Sequence, residues 1–176
     1  ADGLAEINRM MKSWGTQKAL VYGLVIEEFS TVASQQAYTL GSGGDFNTTV
    51  PAWTDQLYVR YSANAELPIS IIDNGRWGNI ASKTTESTIP QQVYIEHNYP
   101  LRKLYFYPIP SEVKTIIMHN YRQLSEFTSL TQTVSMPIGY EDAIIYNYIK
   151  RAAEEYGVMP TQNQLVLADE LLANIK

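Results

Sequence analysis

From Leu57 to Tyr121, apolar side chains recur at every second position in successive short segments. This alternation constrains the chain more than any motif within it. Leu57, Val59 and Tyr61 alternate with Gln56, Tyr58 and Arg60; Val93 and Ile95 alternate with Tyr94 and Glu96; Leu104 and Phe106 alternate with Tyr105 and Tyr107. Val113, Thr115, Ile117, His119 and Tyr121 form one row of a longer segment, with Ile116 and Met118 on the other. Period two with β-branched and aromatic residues predicts strands that bury one face. Asn98-Tyr99-Pro100 and Pro108-Ile109-Pro110-Ser111 read as turns that fold the last three strands into a meander.

The flanks have a different period. Leu4, Ile7, Met11 and Trp14 follow 3-4-3 spacing and predict a helix that Gly15 ends. Tyr140, Ile144, Ile145, Tyr148, Ile149, Ala152 and Tyr156 form a wide helical stripe after Pro137, closed by Gly157 and Pro160. Thr161 with Gln164 has the spacing of a capping box and predicts a last helix, apolar along Leu165, Ala168, Leu172 and Ile175. Asp73 is placed to cap a short turn carrying Trp77 and Ile80. The expected fold class is therefore α+β: a helical bundle from both chain ends (1–21 and 136–176) with an antiparallel β-rich insertion (22–135).

Composition narrows the chemistry. The 176 residues include no Cys and two His, which rules out thiolate chemistry and leaves little for a metal cluster. A net charge of -5 argues against a broad basic face for nucleic acid. No apolar run reaches the ~20 residues of a membrane span, and the opening ADGLAEINRM lacks the pattern of a signal peptide. Thirteen tyrosines suit half-buried sheet faces and interfaces.

The segment YTLGSGGDFNTTVP (Tyr38 to Pro51) resembles a phosphate-binding loop, but Gly44 is followed by Asp45 and Phe46 where a Walker loop has Lys and a hydroxyl. Asp45 would repel a phosphate. The glycines are expected to accept positive φ in a long connection between strands, exposed enough to touch a neighbour. The acidic pairs Glu27-Glu28, Glu141-Asp142 and Glu154-Glu155 are read as solvated charge. Glu27 and Glu28 point to opposite faces of a strand.

In order along the chain stand L-x-x-I-N-x-M-M-x-x-W (Leu4 to Trp14), E-E-F (Glu27 to Phe29), Y-T-L-G-x-G-G-D-F (Tyr38 to Phe46) and D-N-x-x-W-x-x-I-x-x-K (Asp73 to Lys83). Y-P-L-x-x-L-Y-F-Y-P-x-P (Tyr99 to Pro110), M-P-x-G-Y-E-D-A (Met136 to Ala143) and E-Y-G-V-x-P (Glu155 to Pro160) follow. Together this resembles the head-to-tail adaptor (connector) proteins of tailed bacteriophages. The resemblance implies a structural virion protein of the neck, without catalytic residues or cofactor. It implies a ring, usually twelve-fold, beneath the portal protein that extends the DNA channel, helps retain packaged double-stranded DNA and docks tail or nozzle proteins. A closed ring needs two different complementary patches on each subunit. The expected subunit contacts are Phe46, Tyr105, Tyr107 and Tyr148; the expected portal contacts are Leu167, Leu171 and Lys176; the expected channel residues are Arg102, Lys103 and Arg122. The alternatives are a β-rich module that binds carbohydrate or peptide through its Tyr face, and a cell-wall hydrolase.

Overall fold

In a computed structural model of the chain, residues 3–16, 23–122, 126–129, 131–133, 136 and 139–175 are described. They form two compact units, Val25–Arg122 and the two chain ends Ala1–Leu24 with Gln123–Lys176.

The first unit is built on one sheet of eight strands. These are β1 (Leu24–Ser30), β2 (Ala37–Gly41), β3 (Phe46–Asn47), β4 (Trp53–Ser62), β5 (Ala65–Ile72), β7 (Gln92–Glu96), β8 (Arg102–Tyr107) and β10 (Thr115–Tyr121). Their order across the sheet is β1-β10-β4-β5-β7-β8-β2-β3. A two-stranded ribbon joins β6 (Glu86–Ser87) to β9 (Ile109–Pro110) in parallel, and the short helix α2 (Asn74–Gly78) lies between β5 and β6. Asp73 caps α2 as the sequence predicts, its carboxylate accepting from Arg76 N.

The alternating residues turn inward together. Tyr38, Leu40, Phe46, Leu57, Val59, Ile69, Val93, Ile95, Leu104, Phe106, Ile116 and Met118 make one continuous core. The sheet curls until its two edges meet through side chains. Phe29 of β1 stacks on Phe46 of β3 with ring centroids 4.7 Å apart and planes 9° apart. Phe46 also stacks on Tyr38, whose hydroxyl is tied to the backbone of Val32. The result is a nearly closed barrel filled by its own side chains.

This architecture corrects the expected fold class. The fold is mostly a large mixed sheet with four short helices, not a helical bundle carrying an antiparallel insertion. β5 pairs antiparallel with β4 but parallel with β7, because the α2 crossover returns the chain to the end where β5 began. The meander is also corrected. β7 and β8 are antiparallel neighbours across the Asn98 turn, but β10 leaves them and pairs with β4. Ile109 and Pro110 pair with Glu86 and Ser87 instead of turning the chain back onto β8.

The second unit holds α1 (Gly3–Thr16), α3 (Tyr140–Tyr156) and α4 (Gln162–Asn174). Met10, Met11, Trp14, Tyr140, Ala143, Ile144 and Ile175 are its core. Asn147 of α3, buried, donates from Nδ2 to Ala143 O and across to Ala168 O of α4, both at 2.9 Å. The capping box of α4 forms as its spacing predicts, with the Thr161 hydroxyl accepting from Gln164 N and the Gln164 side-chain oxygen accepting from Thr161 N. α3 starts at Tyr140 behind Gly139, while Pro137 lies outside the described residues, as do positions 21, 22 and 135 at the expected domain boundaries.

The glycine-rich turn after β2 is tight. Gly41 has φ 147°, and a Cβ there would lie 2.6 Å from Leu101 Cδ2 and 2.9 Å from Val50 Cγ2. Gly43 has φ 78° with open space around it. Gly43→Ala is therefore expected to cost about 1–2 kcal/mol, from backbone conformation alone. Gly41→Ala is expected to cost more, because Leu101 and Val50 must also move. Urea denaturation of the two variants tests this ordering, and equal losses would contradict it.

Candidate functional site

The glycine turn folds onto its own acid. Asp45 accepts from Thr39 N (2.8 Å) and Thr39 Oγ1 (2.7 Å), while Gly43 N donates to Asn47 Oδ1 (2.9 Å). Main-chain donors that would be needed to hold a phosphate are thus given to Asp45 and Asn47. The backbone and then the hydroxyl of Thr39 hold the Asp45 carboxyl below the ordinary carboxylate range. A carboxyl lowered on folding stabilises above its unfolded pKa of about 4 and loses that contribution as pH falls through the folded value. Asp45→Asn is expected to flatten the fall in stability below about pH 4 relative to the parent protein, as read by denaturation midpoints from pH 2.5 to 6.

All but one of the residues expected at an interface lie within the described residues. Phe46 is 1% exposed and lies in the barrel core, so in this fold it has no face to give a neighbour. The rest of the turn is exposed as expected, at Ser42, Gly43, Asp45 and Asn47, while its aromatic residue turns inward and closes the barrel. Tyr148 packs against the core of the helical unit, its hydroxyl close against Gly3. Leu171 is likewise partly buried against that core. Leu167 is partly exposed on α4, and Lys176 lies outside the described residues.

The three candidate cations have different surroundings. Arg102 shares the inward row of β8 with Leu104 and Phe106; its Nη2 donates to Ala52 O (3.2 Å), and burial pushes its pKa down. Lys103 is exposed on the outer row, opposite Glu96. Arg122 is engaged: its Nη2 donates to Glu27 Oε1 (2.6 Å) and Thr48 Oγ1 (2.8 Å). Glu27 also accepts from Asn120 Nδ2 (2.9 Å) and from Thr48 Oγ1. The reading of Glu27 as solvated charge is corrected accordingly, since its side chain is mostly covered. Glu28, on the outer face, pairs with Arg60.

Tyr105 belongs to a surface cluster that period-two spacing half revealed. β7 and β8 place Tyr94 directly beside Tyr105, with ring centroids 6.0 Å apart. Trp77 of α2 lies over both, at 5.8 and 5.5 Å, and Lys83 Nζ sits 5.6 Å from the Trp77 ring. The Tyr105 hydroxyl donates to Glu96 Oε2 (3.1 Å). Partial burial and then this carboxylate raise the Tyr105 pKa. Tyr107 follows on the same outer row, half-buried. The cross-strand pair is legible in the alternation; the arrival of Trp77 on it depends on the α2 crossover.

Among the described residues, no three His, Asp or Glu side chains converge as metal ligands, and no helix is long and apolar enough to cross a membrane. No protein-family model matches the chain, and no curated protein matches it.

Proposed function

We propose that this chain is a structural subunit of a phage neck: a head-to-tail adaptor that assembles into a ring beneath the portal protein. The ring extends the channel for double-stranded DNA and receives the tail proteins, and the subunit works in the virion without a cofactor or a catalytic step. The ordered set of motifs from Leu4 to Pro160 carries this reading. What supports it is that the motif positions are those on which the two units are built. Tyr38, Leu40, Phe46, Leu104 and Phe106 fill the barrel core. Asp73 caps the helix that brings Trp77 onto Tyr94 and Tyr105. Met10, Met11, Trp14, Tyr140 and Ala143 fill the helical core. An acidic surface suits a passage through which DNA must move without adhering.

Mass photometry of the purified chain, alone and with portal rings, tests the reading. The expected result is a closed multimer of about twelve copies or a saturable layer of the chain on the portal. A chain that stays monomeric in both conditions and leaves portal rings unloaded would overturn it. The Trp77–Tyr94–Tyr105 cluster favours one other reading, a monomeric module that stacks sugar rings or peptide side chains on these aromatics. Glycan binding by a monomer, lost in Trp77→Ala, would select that reading instead.

A further inference from the structure

The starts of β4 and β8 and the ends of β2, β7 and β10 meet at one mouth of the barrel. Two arginines stand there. Arg122, just past β10, is neutralised by Glu27. Arg102, at the start of β8, is half-buried and has no carboxylate partner among the described residues. Its Nη2 donates to Ala52 O, while its Nη1 is shielded from solvent and meets no acceptor. The acids at hand are committed elsewhere: Asp45 to Thr39, Glu96 to Tyr105, and Glu27 to Arg122, Asn120 and Thr48. A partly desolvated cation with an orphaned donor is costly to keep. Because Arg102 holds no ion pair, it can turn that donor towards an anion at the mouth without giving up a charge contact.

His97 lies beside it. The register that pairs Glu96 with Lys103 sets His97, just past β7, opposite Arg102. The residue is exposed, and partial desolvation of the ring and then the Arg102 charge lower its pKa. It is therefore largely neutral at pH 7 and keeps one N–H to donate. From His97 to Lys103 the sequence holds His, Arg and Lys but no acid. A guanidinium fork and an imidazole reaching in from two strands suit a tetrahedral oxyanion, whose acceptor oxygens lie in more than one plane.

We infer that Arg102 and His97 form a phosphate-binding site at this mouth of the barrel. The site goes beyond the adaptor reading and does not depend on it. On that reading the phosphates at hand are those of the DNA backbone; in a free subunit they are inorganic phosphate.

The two histidines of the chain make the test direct. His119 lies against Tyr58 on the outer row of the sheet and serves as an internal reference while both imidazoles are titrated by NMR. Saturating inorganic phosphate is expected to raise the His97 pKa by roughly 1 and to leave His119 unmoved. Sodium chloride at equal ionic strength is expected to move neither. Arg102→Met is expected to raise the His97 pKa in phosphate-free buffer and to abolish the phosphate response. Arg102→Lys keeps the charge without the fork, so it is expected to hold the phosphate-free value and weaken phosphate binding severalfold; it carries the test if Arg102→Met does not fold. A short DNA duplex that competes with phosphate for the same response assigns the site to backbone phosphates, and a response to inorganic phosphate alone assigns it to the free anion. No response at His97, an equal response to chloride or acetate, or a response that survives in both Arg102 variants would overturn the site. None of those results bears on whether the chain assembles with portal rings.

Discussion

Phe46→Ala is expected to destabilise the barrel by about 3–5 kcal/mol, the range for removing a buried Phe side chain. The loss has two sources. The ring is 1% exposed and touches both Tyr38 and Phe29, so truncation leaves a cavity where three aromatics met. It also removes the stack between β1 and β3, the two strands at opposite edges of the sheet. Stacked pairs contribute roughly 0.5–1.5 kcal/mol beyond burial. Phe29→Leu keeps apolar volume at the seam while removing the stack and is expected to lose less, about 1 kcal/mol. Guanidinium denaturation measures both. If Phe46 served instead as a subunit contact, Phe46→Ala would lower assembly and leave the unfolding midpoint of the monomer unchanged.

Phe46 also shows where local reading of the sequence stops. Gly41 to Asn47 has the composition of a loop, and loops are ordinarily exposed. Yet Leu40 pairs with Phe46 in parallel across the tight turn, which carries the Phe46 ring back over Tyr38 into the core. Nothing in seven residues announces that fold-back; it depends on Asp45 holding Thr39. What depends on a few neighbouring positions was legible: the alternating rows of β4 and β10, though not which row of β10 faces inward, the cap at Asp73, the box at Thr161. Partner choice among strands was not. β10 and β4 are separated by more than fifty residues, and both the antiparallel and the mixed arrangement satisfy the same alternation. The helical stripes were legible as helices, but their breadth did not say which residues stay uncovered. Tyr148 and Leu171 turn inward, while Ile145, Tyr156 and Val166 remain exposed.

The surroundings of the candidate cations were hidden for a related reason. Arg122 reads in sequence as a free charge at a strand end, and its partner Glu27 is 95 residues away. Glu27→Ala is expected to cost about 2–4 kcal/mol, between the values for exposed and fully buried pairs, because Arg122 is partly solvated while Glu27 is mostly covered. The carboxylate accepts from Arg122, Asn120 and Thr48 at once. Removing it strands a guanidinium whose Nε is already buried without a partner, and frees Thr48 after β3 from β1 at the barrel seam. Glu27→Gln retains the shape and one acceptor oxygen but not the charge, and is expected to recover about half of the loss. A double-mutant cycle with Arg122→Met separates pairing from desolvation: with the cation gone, Glu27→Ala is expected to cost less than half as much as in the parent protein. Equal costs in both backgrounds would mean that Asn120 and Thr48, rather than Arg122, give Glu27 its place at the seam.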